Sequence, residues 1–558
     1  MASLASNPIQ GVKGSDCFDS TGDPRVDLSV QLVRGASVDV ITQGLDKILA
    51  LGTPEAREDA YLLAFQTRNI RGGKGERKIS EEMFKHLLLN ADLRIVAEIT
   101  RLLPLIPHYG CWRDLFSLAA LVPNVQQEIL MLSIEQLKKD AATPEDQPIS
   151  LCAKWAPRED RMKDLAVKMA ALLFPNIKDY GRKMKSYRKM VSALNKRIQT
   201  TEIKMCAGDW ELVEPGKVPG RCLQKHRLAF LNEVAAKRKG QKVPKGEIRH
   251  PDDEVRMKCR ENFQAFFQKA AKGEVVVKGA DTVFPHEVIS RIYDAGFDGL
   301  STDEQNFAIG QWAAFVKAAK EGGGLSKCIA LCDFSGSMNG LPKLISTALG
   351  LLVAEVSGLN KILTFDSVPE WHEFRAEDTI LQRVASLTRN LGQGLSTDFQ
   401  KAMDLILGDV KARRCRPEDL PKDLLVFTDM GWDDACGSSH QGTYTKNHYR
   451  HVVKTEYWQT HIQMIREAWM RAGEDMWGPG TVFQPPRIVV WNLAVSCSDN
   501  FHARANEDGV VLLSGWSPAL FKVLQAKNVE VETPYQALRA QLDDPMYDQV
   551  RTANRQGF

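Results

Sequence analysis

The chain has no C-x-x-C pair among its 11 cysteines, no basic start leading into an apolar stretch, and no apolar run long enough for a bilayer. Each absence removes a class. Cysteines that are scattered and odd in number point away from a disulfide framework, toward free, mostly structural thiols in a reducing compartment. The opening "MASLASNPIQGVKGSDCFDS" lacks the two regions a secretory signal needs. The longest apolar run, "LISTALGLLVAEV" from Leu344, lies between Lys343 and Glu355, is too short to span a membrane, and is read as a buried helix. The expectation is an intracellular protein with no membrane partner, cytoplasmic, with the nucleus also open to it. Nucleotide loops are missing as well. "RGGKGERK" (71–78) resembles a phosphate cradle but lacks the full spacing and the Ser or Thr after Lys of a P-loop. Glycine-permitted turning with surface cations is the simpler account.

What is present is a chain of 558 residues with 44% hydrophobic content, enough for a large core and two or three domains. Its formal net charge of +3 conceals an asymmetry: residues 151–250 carry 24 Lys and Arg against 10 Asp and Glu. Inside that segment "GRKMKSYRKMVSALNKRIQ" (181–199) has seven cationic side chains and no acidic one. A charge run of this kind is either a solvated helix face or a contact for a polyanion. Its length, and the basic "RCLQKHR" and "KRKGQKVPKGE" that follow, favour nucleic acid.

The hydrophobic pattern divides the chain. From about residue 36 to 321 apolar residues return at helical spacing, as in "AYLLAFQTRNI", "SEEMFKHLLL" and "EQNFAIGQWAAFVKAAK". Short amphipathic helices in series predict stacked pairs, a HEAT-like solenoid or ring, with a compact irregular bundle as the alternative. Residues 1–35 form an extension. From 322 to 558, after "EGGG", β-rich runs alternate with helical ones: "KCIALCD", "KILTFD", "DLLVFTD", "RIVVWNLAV" and "GVVLLSG". That order predicts a doubly wound α/β sheet, which binds ligands at the carboxyl ends of its strands. A polar insertion at about 433–478 interrupts it.

One such strand end reads "LCDFSGSMNG", placing Asp333 two and four residues ahead of Ser335 and Ser337. The frame does not fit the G-x-S-x-G of a serine nucleophile, and one local carboxylate is too few for paired acid catalysis. Hard divalent cations, by contrast, take oxygen ligands, which a carboxylate and two hydroxyls supply in part. "GQGLSTDFQKAMDLIL" offers Thr397 after a glycine-rich turn, and "LLVFTDMGWDD" offers Asp429 after a strand.

These three loops in this order resemble the metal-ion-dependent adhesion site of a von Willebrand factor A domain. The resemblance implies that Asp333, Ser335, Ser337, Thr397 and Asp429 hold Mg²⁺ or another divalent cation, directly or through water, with one position left for a partner's oxygen. The first half carries "TRNIRGGKGER", "HYGCWRDL" and "LCAKWAP", which with the A domain resemble the Ro autoantigen (TROVE) proteins. "STGDP", "YRKMVSALNK", "VVWNLAV" and "LLSGWSP" give a nearer resemblance to the family catalogued as domain of unknown function 2828. The Ro resemblance implies a helical-repeat ring closed by the A domain that binds small structured or misfolded RNA. No enzymatic activity is expected, because no Ser-His-Asp or Cys-His frame emerges and the only metal site is of a gripping kind. If the basic segment is the RNA surface, Lys183, Lys185, Arg188, Lys189, Lys196 and Arg197 are its candidate contacts, mostly to phosphate.

Other signals are weaker. Cys436, His440, His448 and His451 fit no usual zinc frame and are read as a solvated insertion at the rim of the adhesion site. Trp112 and Trp155 are read as packing residues before base-stacking ones. The competing function is a protein-only adaptor or chaperone-like assembly factor that uses the A domain to bind a protein.

Overall fold

A computed structural model of the chain describes residues 6–10, 16–235, 237–238, 241–242, 244–279, 282–296, 299–323, 325–365, 369–390, 399–432, 454–525 and 531–555. The protein is mixed helix and sheet, helical through its N-terminal half and α/β through its C-terminal half. Its two compact units are Met1–Val40, Ala270–Val276 and Val283–Gln541, and Ile41–Lys269, Val277–Thr282 and Leu542–Phe558.

The first unit is built on a six-stranded sheet. Its strands are β1 (Cys328–Asp333), β2 (Lys361–Phe365), β3 (Trp371–Glu373), β4 (Asp423–Thr428), β5 (Arg487–Asn492) and β6 (Val510–Ser514). They lie in the order β6-β5-β4-β1-β2-β3. Every pairing is parallel except β2 with β3. Every residue of "CIALCD" and "DLLVFT" is buried. A parallel sheet covered on both faces reads as an unbroken apolar run, which is why these strands are visible in the sequence. The three-residue β3 hides in the polar stretch after "KILTFD".

Helix Leu341–Val356 packs on β1, and helices Pro285–Ala295 and Thr302–Gly322 pack on that helix in turn. The close approach depends on Gly350, where a Cβ would stand 2.2 Å from Cys332 Sγ. The compact units therefore depart from the linear boundaries at 35 and 321: segments 283–322 and 6–40 both join the sheet. Asn492 Nδ2 donates to Val30 O at 3.0 Å and Ser514 Oγ donates to Ser29 O at 2.7 Å, tying the early segment to the ends of β5 and β6. The span of the expected polar insertion, about 433–478, includes a helix. Helix Lys454–Trp477 buries Trp469 and Ala472, while residues 433–453, with Cys436, His440, His448 and His451, lie outside the described residues.

The second unit is a succession of helices in which sequence neighbours pack on one another, among them Pro54–Arg68 on Arg77–Leu88 and Lys163–Leu173 on Tyr180–Ile198. Local rules set their starts. Thr53 caps Pro54–Arg68, its Oγ1 accepting from Ala56 N at 3.1 Å, and Pro54 occupies the first turn, where no donor is needed. The loop "RGGKGERK" folds back on that helix: Lys74 N donates to Gln66 O and Glu76 N to Thr67 O. Gly73 allows it, since a Cβ there would meet Gln66 O at 1.9 Å. Contrary to the expected surface cations, Lys74 is fully buried, and burial pushes its amine down to about 7.

Candidate functional site

In the order just given, β1 and β4 are adjacent but lead to opposite sides of the sheet, so the crevice beyond their carboxyl ends is the switch point where such sheets take ligands. Asp333 is the last residue of β1, and Asp429 follows the last residue of β4. Both are fully buried, as is Ser335, whereas Ser337 is exposed.

The local geometry is closed by hydrogen bonds. Ser335 N donates to Asp333 Oδ1 at 2.9 Å, and the Ser335 and Ser337 hydroxyl oxygens stand 3.1 Å apart. Thr428 Oγ1 donates to Asp333 Oδ2 at 2.8 Å and accepts from Met430 N and Trp432 Nε1, each at 3.2 Å. Gly431 N donates to Asp429 Oδ1 at 3.0 Å, and Ser496 Oγ to Asp429 Oδ2 at 3.0 Å. Behind them Trp432 stacks on His502 with ring centroids 3.8 Å apart and on Phe399 at 5.2 Å. His502 Nε2 lies 2.9 Å from Met430 O, and burial pushes its pKa down to about 4, so the ring is neutral. Met430 itself takes a left-handed backbone, φ 70°, which re-aims the chain straight after Asp429.

Electrostatics make this a place of unspent negative charge. Burial, followed by the charge of Asp429, raises the Asp333 carboxyl to about 6, against the lowering by its bonds to Ser335 and Thr428. Among the described residues, neither carboxylate forms an ion pair with a Lys, Arg or His. Two buried carboxyls, each with lone pairs left over, and a pair of neighbouring hydroxyls form an oxygen donor set that fits a hard divalent cation. No group of three His, Cys, Asp or Glu side chains poised for a metal occurs among the described residues. Thr397 lies outside them. Thr428, Ser496 and His502 were not foreseen. Thr428 had a signal, standing beside Asp429 in "FTDM", whereas Ser496 and His502 arrive from a loop after β5.

In the helical unit, Tyr180–Ile198 carries the basic run. Asp179 caps it, its Oδ1 accepting from Arg182 N at 2.7 Å. Met184, Tyr187, Val191 and Leu194 are buried at helical spacing, and Tyr187 OH donates to Pro157 O at 2.8 Å. Lys185, Arg188, Lys189 and Lys196 are exposed, and Lys183 half-buried. Arg188 pairs with Glu159 at 2.6 Å. Arg197 donates to Asp140 O at 2.9 Å and Pro144 O at 2.8 Å, which makes it an anchor for the C-terminal end of helix Gln126–Ala142. Lys183, Lys185, Lys189 and Lys196 have no ion-pair partner among the described residues. Trp112 and Trp155 are half-buried, with the Arg113 guanidinium 6.0 Å from the Trp155 ring centre.

Two family models match parts of the chain: a domain of unknown function, DUF7788, over residues 327–555, and another, DUF2828, over residues 128–239. The second encloses the basic helix and meets the resemblance read from "YRKMVSALNK". "VVWNLAV" and "LLSGWSP" fall within the first, which also spans all six strands, Asp333 and Asp429. The chain is 26% identical over 549 residues to the uncharacterized protein L728 of Acanthamoeba polyphaga mimivirus, covering 94% of this chain and 85% of that protein. No described helix is long and apolar enough to cross a membrane.

Proposed function

We propose that the protein is a non-enzymatic RNA-binding scaffold of the Ro type, whose α/β unit is a von Willebrand factor A-like domain holding Mg²⁺ for a partner. The observation that carries the metal reading is the meeting of Asp333, Ser335, Ser337 and Thr428 with Asp429 at the switch point of a sheet ordered β6-β5-β4-β1-β2-β3. Asp333, Ser335, Ser337 and Asp429, with Thr397, would hold the cation. Once bound, it supplies a positive centre that grips a carboxylate or phosphate oxygen. The protein's part is to keep the carboxylates dry and aimed: Thr428 and Ser496 fix their rotamers, and the Trp432–His502 stack backs the loop.

RNA binding rests on the acid-free helix Tyr180–Ile198, read as part of a HEAT-like stack, with Lys185, Lys189 and Lys196 turned to solvent and without an ion-pair partner among the described residues. Contacts of this kind are mainly to phosphate, so affinity falls steeply with salt. The test combines retention of RNA on the purified protein with the triple variant Lys185→Glu, Arg188→Glu, Lys189→Glu. Loss of three phosphate contacts lowers the magnitude of the logarithmic salt slope by about two for single-stranded RNA. Full affinity and an unchanged slope would remove the helix from the RNA surface. Protein free of RNA that retains none when offered structured RNA would turn the reading to the adaptor. Calorimetric titration with Mg²⁺ of wild type and Asp333→Ala tests the metal: equal binding by both would dispose of the site.

A further inference from the structure

The basic helix does more than present charge. A pocket of about 430 Å³ opens between it and the segment at Pro157. Met184, Tyr187 and Val191 give it buried apolar walls, with Pro157 opposite. Its polar lining includes Arg158, Ser192 and Asn195. Asn195 Nδ2 is spent on Ala153 O and Val191 O, both at 2.8 Å, which leaves Oδ1 as an acceptor. The two acids at the pocket are already balanced. Glu159 is paired with Arg188, and Asp160 lies 3.7 Å from Arg161. Arg158 is exposed and has no ion-pair partner among the described residues.

Helix geometry sets this pocket beside the cations. Met184, Arg188, Val191 and Asn195 follow one ridge at steps of four, three and four. Lys185, Lys189, Ser192 and Lys196 follow the next ridge at the same steps, about 100° around the axis. An apolar slot thus runs alongside a row of ammonium groups. A peptide of acidic residues alone would satisfy the row and leave the slot's walls in water. A nucleotide chain alternates phosphate with a flat, apolar-faced ring and meets both.

We propose that this pocket receives one unpaired nucleobase of a single-stranded RNA segment whose phosphates lie along Lys185, Lys189 and Lys196. The proposal rests on the RNA-binding reading above and adds a base-sized site to it. The experiment measures binding of the full-length protein to a fluorescent single-stranded RNA of about twelve nucleotides, and to a set of the same strand with one abasic position moved along it. One abasic position is expected to weaken binding about tenfold, the size of one buried base contact. Ser192→Trp, which fills the mouth from an exposed position, should cost a similar factor with the intact strand and nothing further with the abasic strand that binds weakest. Lys185→Glu with Lys189→Glu should weaken intact and abasic strands alike. If every abasic strand binds as tightly as the intact one and Ser192→Trp changes nothing, the pocket takes no base although RNA binding stands. If wild type binds none of the strands, this inference falls together with the reading beneath it.

Discussion

At the scale of the residue, Asp333 is held in a state it resists. Its carboxyl keeps its proton up to about pH 6 in the folded, metal-free protein, against an ordinary value near 4 in an unfolded chain. The folded state binds that proton more tightly, so the stability it contributes is full below about pH 4 and is lost as pH rises through about 6. Asp333→Asn should therefore stabilise the metal-free protein at pH 8, by up to about 3 kcal/mol, and abolish any stabilisation by Mg²⁺. Urea unfolding with and without the cation reads both effects, and a destabilised variant at pH 8 would contradict them. Asp114 is the opposite case. It joins two of the stretches that resemble Ro proteins, with Arg68 Nε 2.7 Å away and Arg77 Nε 2.8 Å away. Removing it strands at least one nearly buried guanidinium, so Asp114→Ala should cost about 3–5 kcal/mol in chemical denaturation. These motif residues hold their two stretches together through ion pairs.

At the scale of the element, the contact of helix Leu341–Val356 with β1 sets where Asp333 ends up. Gly350→Val would drive side-chain carbons into Cys332, forcing helix and strand apart at a cost of about 1–3 kcal/mol or more. Mg²⁺ affinity should fall with it, although the change is remote in sequence from every proposed ligand; unchanged affinity would show that the strand end does not depend on this packing. The strands β1, β2, β4, β5 and β6 were legible because burial on both faces leaves apolar runs, and Asp333 and Asp429 because each closes such a run. What was illegible comes from meetings between segments far apart in the chain. Ser496 reaches Asp429 across 67 positions and His502 reaches Met430 across 72, and no local pattern announces either. Lys74 misled for a related reason: a lysine among glycines reads as surface, and only the return of the loop onto Gln66 buries it.

At the scale of the whole molecule, neither unit is a continuous stretch of chain. The helical unit is completed by the last segment: Tyr547 stacks on Tyr109 at 5.5 Å, Asn69 Nδ2 donates to Tyr547 OH at 3.1 Å, and Arg555 pairs with Glu58 at 2.8 Å. Ending the chain at Gln541 should therefore loosen helices Pro54–Arg68 and Leu93–Leu102, seen as faster amide exchange there, while β1 and β4 keep their protection. Protection lost first in the sheet would contradict this division. The expected boundaries at 35 and 321 treated the halves as beads on a string, because composition reports what a segment is made of and carries no record of which distant partner it covers.

The placement of residues 542–555 also bears on synthesis. A ribosome delivers Pro54–Arg68 long before its covering segment, and the stretch at Val30 long before β5 and β6. Until those later segments emerge, apolar faces in both units stay open, which is an interval in which a nascent chain needs shielding. A product that stopped before residue 542 would then leave the ribosome with its helical bundle unsealed.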